Sequence, residues 1–390
     1  MRTGAETRIV TARFVAVCIT SLAALTSFYL LLSTVPLFTA EIGDVSDPGR
    51  NAGLATGALM LSTVLAEIVT PRLLGWLGPR PIFAAALVCL GLPALLLPAT
   101  DSVVGVLVVC LVRGLGFGIA VVVGGALVAE LAPPGRRGES LGLYGVVVTV
   151  PAVAALPLGV WLVEAADFST TFIVGGIAAT VGLLLVPALR GRTDQADDHV
   201  GISVAMGSAD LRRPALVFTA TALAGGVVVT FLPLATPAPS SEVVTLGLFA
   251  QALTATVARW VAGRVGDRRG AATLLAPGVV LSAAGIGLLL LLPTAGAVLI
   301  GMAVFGAGFG IVQNASFSLM FDRSSPGGYG AVSGMWNLAY DVGLGAGAVG
   351  FGLVVAQTGY PAGFALVAGL VCAVLPVVLF DRSRTPTSPP

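Results

Sequence analysis

The sequence predicts an all-α integral membrane protein of twelve transmembrane helices arranged as two pseudo-symmetric six-helix bundles. Three observations carry that expectation. Of the 390 residues, 56% are hydrophobic and 10% charged, with a mean hydropathy of +1.00, which excludes a water-soluble globule. The apolar runs have the length of bilayer crossings, about 20 residues each. The second half of the chain also repeats the first at a fixed offset.

Cutting at charged, proline and glycine-rich breaks gives spans at 14–38, 52–74, 82–98, 103–129, 141–163, 170–189, 214–235, 243–261, 272–292, 295–321, 331–355 and 362–380. The first apolar run continues to Phe38, beyond the roughly 7–15 residues of a signal-peptide core, so it is kept as a span. Cys18, Cys89, Cys110 and Cys372 lie in apolar runs without metal-ligand spacing and read as small packing residues.

All twenty basic residues are arginine; with the alanine, glycine, valine and proline load this points to a GC-rich bacterial genome. Arginines 2, 8, 13, 72, 80, 136, 137, 190, 192, 212, 213, 264, 268, 269, 323, 382 and 384 fall on one side of the spans, and Arg50 alone on the other. Because retained positive charge marks the cytoplasmic side, both termini are expected in the cytoplasm of a bacterial cell, with the chain in its inner membrane. The longest polar break, 190–213, separates a bundle at 1–189 from one at 214–390. His199, the only histidine, reads as a solvated linker residue, with no second histidine to join it on a metal.

An offset of 192 residues aligns Arg113–Ile119 (RGLGFGI) with Phe305–Ile311 (FGAGFGI), Gly78 with Gly270, Glu130 with Asp322 and Phe172 with Phe364. A duplicated six-helix unit with small residues at helix contacts is an architecture of secondary transporters. The segment GRVGDRRG, Gly263 to Gly270, resembles the loop signature of the major facilitator superfamily; its first-half counterpart, PRLLGWLG from Pro71, has Gly75 in place of the acid. VRGLGFG (Val112–Gly118) and LPLGVWL (Leu156–Leu162) are similar to the fourth- and fifth-span signatures of its drug and metabolite exporters, with Leu156 standing where that branch has glycine.

The resemblance implies alternating access by rocking bundles, with the charged segment as a cytoplasmic gate. Gly263, Asp267, Arg268 and Gly270 form one side of that gate; Glu130 and Glu139 offer acids to Arg264, Arg268 and Arg269; Asp267 is suited to a helix N-terminus of the other bundle. The plainer reading makes the arginines topology markers only.

Ionisable residues inside spans are costly to keep and mark function by default. Arg113 and Asp341 lie near the middle of the fourth and eleventh spans, and Glu67 and Arg259 occupy matching depths in the second and eighth. Asp341 is the preferred proton site with Arg113 as its modulator; the competing readings are Glu67 as the titrating group and Arg113 as a packed residue satisfied by backbone carbonyls. The first span supplies no acid, a departure from many related antiporters.

Tyr29, Gln313, Asn314, Trp336, Asn337 and Tyr340, with Phe28, Tyr144, Gln251 and Phe305, make an aromatic and amide lining suited to an amphipathic ligand. Helix packing is the alternative for Trp336 and Phe305. No Walker motif, strand-borne glycine fingerprint or reactive constellation is present, so no cofactor and no enzyme activity are expected. A net charge of +1 gives no basis for a nucleic-acid partner. The expectation is a monomeric, proton-coupled exporter of a small amphipathic compound, with an uptake carrier or uniporter for a polar nutrient as the alternative.

Overall fold

In the computed structural model the described residues are 9–43, 47–133, 136–189, 206–235, 241–324 and 328–384. The linker stretch 190–205 with His199, Arg190 and Arg192, and also Arg2 and Arg8, lie outside them. Among the described residues there is no strand. The helices are α1 (Ala12–Leu32), α2 (Thr34–Ile42), α3 (Pro48–Leu77), α4 (Pro79–Leu96), α5 (Val103–Leu131), α6 (Arg137–Ala165), α7 (Phe168–Val181), α8 (Ala209–Ala235), α9 (Ser241–Arg269), α10 (Ala272–Leu288), α11 (Ala295–Asp322), α12 (Tyr329–Cys372) and α13 (Leu375–Arg384).

By length and composition, eleven stretches of the described residues are long and apolar enough to cross a membrane. The first joins α1 and α2, and the last runs 52 residues from Gly330 to Asp381. Gly359 interrupts that last stretch with φ 73° and ψ 166°. The sequence expectation placed a short loop at 356–361; a single glycine makes the break instead. The narrow breaks at 98–103 and 292–295 are real: α5 starts at Val103 under an N-cap from Ser102 Oγ to Gly105 N at 3.1 Å, and α11 starts at Ala295.

The chain divides into two compact units, Met1–Gly43 with Ala58–Ala196, and Asp44–Gly57 with Asp197–Pro390. The first ten residues of α3 therefore pack with the second unit. Their glycines make this possible: a Cβ at Gly53 would lie 2.5 Å from the Ala348 carbonyl oxygen on α12, and one at Gly49 would lie 2.5 Å from Val355 Cγ1. Thr56 and Thr230 share a buried hydroxyl hydrogen bond of 3.0 Å between α3 and α8, which satisfies both groups away from water.

The repeat extends to individual contacts. A Cβ at Gly114 would strike the Leu59 carbonyl oxygen and Ser62 Oγ; one at Gly306 would strike the Gln251 carbonyl oxygen and Thr254 Oγ1. Gly116 meets Ala86 O as Gly308 meets Gly278 O, and Gly118 meets Thr63 O as Gly310 meets Ala255 O. Each glycine and its partner differ from their counterparts by the same 192 positions. The apolar runs thus place α5 and α11 backbone to backbone against their neighbours, where only glycine fits.

Candidate functional site

The charged stretch Arg259–Gly270 is helical, not a loop. α9 continues through Arg269, and Gly270, at φ 82°, ends it by donating its N–H to Gly266 O at 2.8 Å. Gly78, its repeat partner at φ 76°, ends α3 in the same way on Leu74 O. A left-handed residue after the last turn favours glycine, which explains why this pair is kept through the duplication. Asp267 and Arg268 therefore project from the last helical turn, both exposed. Arg264 lies over the Trp260 ring at 3.4 Å to the centroid, a cation–π contact.

Glu139 accepts two hydrogen bonds from Arg136, Nε to Oε2 at 2.8 Å and Nη2 to Oε1 at 2.7 Å. That pair holds Arg136 above its ordinary pKa, chiefly through the hydrogen bond to Glu139. Glu130 is exposed near the end of α5.

Arg113 is buried to 1% exposure within the first unit. Its Nε donates to Leu90 O at 3.3 Å and its Nη2 to Ser27 O at 3.0 Å. These are carbonyls of α4 and α1, so two of the guanidinium's five N–H donors go to backbone dipoles of its own unit. Glu67 and Asp341 are buried, at 8% and 3%; Arg259 is half-buried on α9. Tyr144, on α6, donates to Ser21 Oγ at 3.0 Å. Tyr29 is half-buried and edge-on to Phe28 at 5.1 Å.

The aromatic candidates of the second unit come together. Trp336 stacks on Phe218 of α8 at 4.6 Å and 13°, and Tyr340, one turn along α12, stacks on the same ring at 5.9 Å and 17°. Phe317 meets Trp336 edge-on at 4.9 Å, and Trp336 Nε1 donates to Ser316 Oγ at 3.2 Å. Gln313, Asn314 and Asn337 are half-buried on α11 and α12. Asn314 also flanks Gly263: a Cβ there would lie 3.6 Å from Asn314 Nδ2. A residue assigned to the cavity and one assigned to the gate are thus neighbours across α9 and α11. Phe305 is fully buried against Phe309 at 5.8 Å, in a packing role.

The sequence reading missed Asp381. Its carboxylate is buried at 3% and receives Arg323 Nη1 at 3.1 Å and Nη2 at 2.7 Å, with Arg213 Nη1 at 3.4 Å. Arg323 also donates to Asp210 O at 2.9 Å, so the network ties the start of α8, the end of α11 and α13. Arg213 and Arg323 had been read only as topology charges; an acid at the foot of the last apolar run, facing arginines at the ends of two other spans, was the available signal. Phe218 gave none, being one apolar residue among many.

No group of three or more metal-binding side chains occurs among the described residues. What the arrangement offers is an aromatic stack between α8 and α12, with half-buried amides on α11 and α12 and a buried acid on α12. A family model, the Major Facilitator Superfamily, matches residues 17–348 and 214–390. The chain belongs to that superfamily: it is a multi-pass membrane transporter and not an enzyme. It is 24% identical over 340 residues to the multidrug resistance protein MdtH of Aeromonas hydrophila, covering 85% of each chain. It is 26% identical over 195 residues to an uncharacterised transporter of the same type, Rv1877 of Mycobacterium tuberculosis, covering 49% of this chain and 28% of that one. Among solved structures it is similar to the xylose transporter XylE from E. coli in a partially occluded inward-open conformation, with TM-score 0.75 and 14% identity over 96% of this chain and 98% of that one. The nucleoside transporter NupG gives TM-score 0.74 and 14% identity over 96% and 100%.

Proposed function

We propose that the chain is a proton-coupled exporter of a small amphipathic compound, working by alternating access through two six-helix bundles. The observation that carries this reading is the stack of Phe218, Trp336 and Tyr340, together with the buried Asp341 that follows Tyr340 in sequence on α12. Ring faces and a few amides suit an apolar body with a polar handle, and a buried carboxyl on the same helix is the group to take up and release a proton. The resemblance to a multidrug resistance protein supports export; the fold likeness to xylose and nucleoside transporters fits the alternative of an uptake carrier for a polar nutrient. The scarcity of polar groups in the stack favours the amphipathic ligand.

On this reading the 52-residue stretch crosses twice, with Gly359 as the break between the eleventh and twelfth crossings. The arginine-rich ends and both termini are cytoplasmic, in a bacterial inner membrane, and the transporter acts as a monomer. Asp267, exposed at the end of α9, stabilises the state closed to the cytoplasm, and Gly263, Arg268, Gly270, Glu130 and Glu139 are the other residues assigned to that gate. Arg113 supports its own unit rather than exchanging the proton, since its donors lie on carbonyls of that unit. Glu67 and Arg259 stand at the depth of the gate.

The test is flux in proteoliposomes under an imposed pH gradient across a panel of amphipathic and nutrient substrates. Uphill efflux of an amphipathic compound, lost in Asp341→Asn while exchange at equal pH persists, supports the proposal. Gradient-driven accumulation of a sugar or nucleoside instead establishes the uptake reading; loss of coupling in Glu67→Gln but not in Asp341→Asn moves the proton site to α3.

A further inference from the structure

Among the described residues Arg113 is a buried cation without a counter-anion. No ion pair includes it, and its two hydrogen bonds go to the carbonyl oxygens of Leu90 and Ser27. Two carbonyl dipoles leave three of its five N–H donors without a protein acceptor, all of Nη1 and part of Nη2, where water does not screen the charge. A second unpaired group lies on the residue that helps to hold it. The Ser27 hydroxyl is fully buried and has no hydrogen-bond partner among the described residues. Thr20 and Thr34, seven residues to either side, turn their hydroxyls back onto Ala16 O at 2.8 Å and Leu30 O at 3.3 Å. Ser27 does not. Buried polar groups are rarely left unpaired, and a guanidinium and a hydroxyl left so at one place point to a ligand. Phe28, the next residue of α1, stacks on Phe117, one turn after Arg113 on α5, at 3.5 Å and 8°, and both rings are buried. α1 and α5 thus bring together a cation, a hydroxyl and two parallel ring faces.

We propose that Arg113 and Ser27 bind the acidic group of the transported compound, which makes the amphipathic ligand an aromatic carboxylic acid. The carboxylate accepts from the spare N–H groups of Arg113 and from the Ser27 hydroxyl, and the ring enters between Phe28 and Phe117 when they part. A guanidinium is the side chain best matched to a carboxylate. The entering ring replaces the one ring contact it breaks with two of its own. The charge sets the selectivity: a cationic ligand meets Arg113 repulsively, and a neutral one leaves the guanidinium uncompensated. The inference rests on the proposed transport of an amphipathic compound and adds the sign of its charge.

The test is isothermal titration calorimetry of the full chain in detergent with naphthylacetate, naphthylacetamide and naphthylethylammonium, which share a ring system and differ in charge. The titrations are run in halide-free buffer and again with bromide. The expected result is naphthylacetate bound at least about tenfold tighter than either of the others, the scale of one charged hydrogen bond. Arg113→Gln should abolish that preference. Ser27→Ala should weaken naphthylacetate about three- to fivefold and leave the amide as it was, without lowering the unfolding temperature of the ligand-free chain, since it removes only an unpaired hydroxyl. The serine variant decides the matter even if Arg113→Gln does not fold. Equal affinities for the three probes in the unaltered chain overturn the proposal, as does an acid preference untouched by Ser27→Ala. Bromide that stabilises the unaltered chain while naphthylacetate gains nothing over the amide marks an inorganic anion site and overturns it too. Flux of the same probes in proteoliposomes separates this inference from the export reading. Gradient-driven efflux of the ammonium probe with no preference for the acid overturns the inference alone; a Ser27-dependent acid preference without any gradient-driven flux supports it and overturns the export reading.

Discussion

The two units share a packing scheme to the level of single carbonyls and differ in what they do with charge. In the first, Arg113 is held by the carbonyls of Leu90 and Ser27, and Arg80 donates to the carbonyls of Leu189 and Pro187. In the second, the residue 192 positions after Leu189 is Asp381, and its carboxylate, not a carbonyl, receives the arginines. The second unit also stacks three rings, Phe218, Trp336 and Tyr340, where the first stacks Phe28 on Phe117. Backbone contact tolerates only glycine and so resists change after duplication; side chains around it are free to diverge.

The comparison breaks most sharply at the shared glycines. Gly114→Val and Gly306→Val should each prevent stable folding, at a cost above about 3 kcal/mol, because the added atoms meet backbone that cannot move aside. Loss of the monodisperse peak in detergent size-exclusion chromatography is the expected outcome for both. A tolerant half would show that its helices are not in register with the other.

Next come the two arginine clasps. Asp381→Asn should destabilise the protein by about 2–3 kcal/mol, since it removes the buried carboxylate shared by two partly buried guanidinium groups. Arg80→Gln, which breaks bonds to neutral carbonyls, should cost about 1 kcal/mol. Thermal unfolding of both variants in the same detergent decides the order; equal shifts would remove the distinction between the halves. Trp336→Phe keeps the stack on Phe218 and loses the bond to Ser316, with an expected loss of about 1 kcal/mol. Ligand affinity measured alongside unfolding would show whether that indole serves binding as well as packing.

The smallest effect on stability belongs to Asp267→Asn, within about 0.5 kcal/mol because the side chain is exposed. Its expected consequence is in populations: labelling of cavity cysteines from the cytoplasmic side should rise. Unchanged labelling with intact transport would reduce the acid to a topology marker.

Much of this was legible beforehand. Apolar length gave the helices, and the offset of 192 located the glycines whose contacts repeat. Helix ends in charged stretches were less legible: GRVGDRRG read as a loop because its charges look solvated, yet nothing in it breaks a helix before Gly270. Arg113 was ambiguous because a buried cation is as well served by carbonyls as by an acid, and sequence does not say which lies within reach. Asp381 was hidden by distance along the chain, its partners being 58 and 168 residues away.

That separation has a consequence for biosynthesis. Arg213 enters the membrane region with the first helix of the second unit, and Arg323 at the end of its fourth, but the carboxylate that neutralises both is translated long after them. Until α13 emerges from the ribosome the buried acid of this clasp is missing; Arg213 keeps the exposed Asp210 carboxylate at 3.4 Å, and Arg323 keeps the Asp210 carbonyl at 2.9 Å, which joins α11 to α8 without α13. The second unit can therefore be inserted early but closes late, and a nascent chain arrested before residue 381 should be the form most exposed to membrane quality-control proteases.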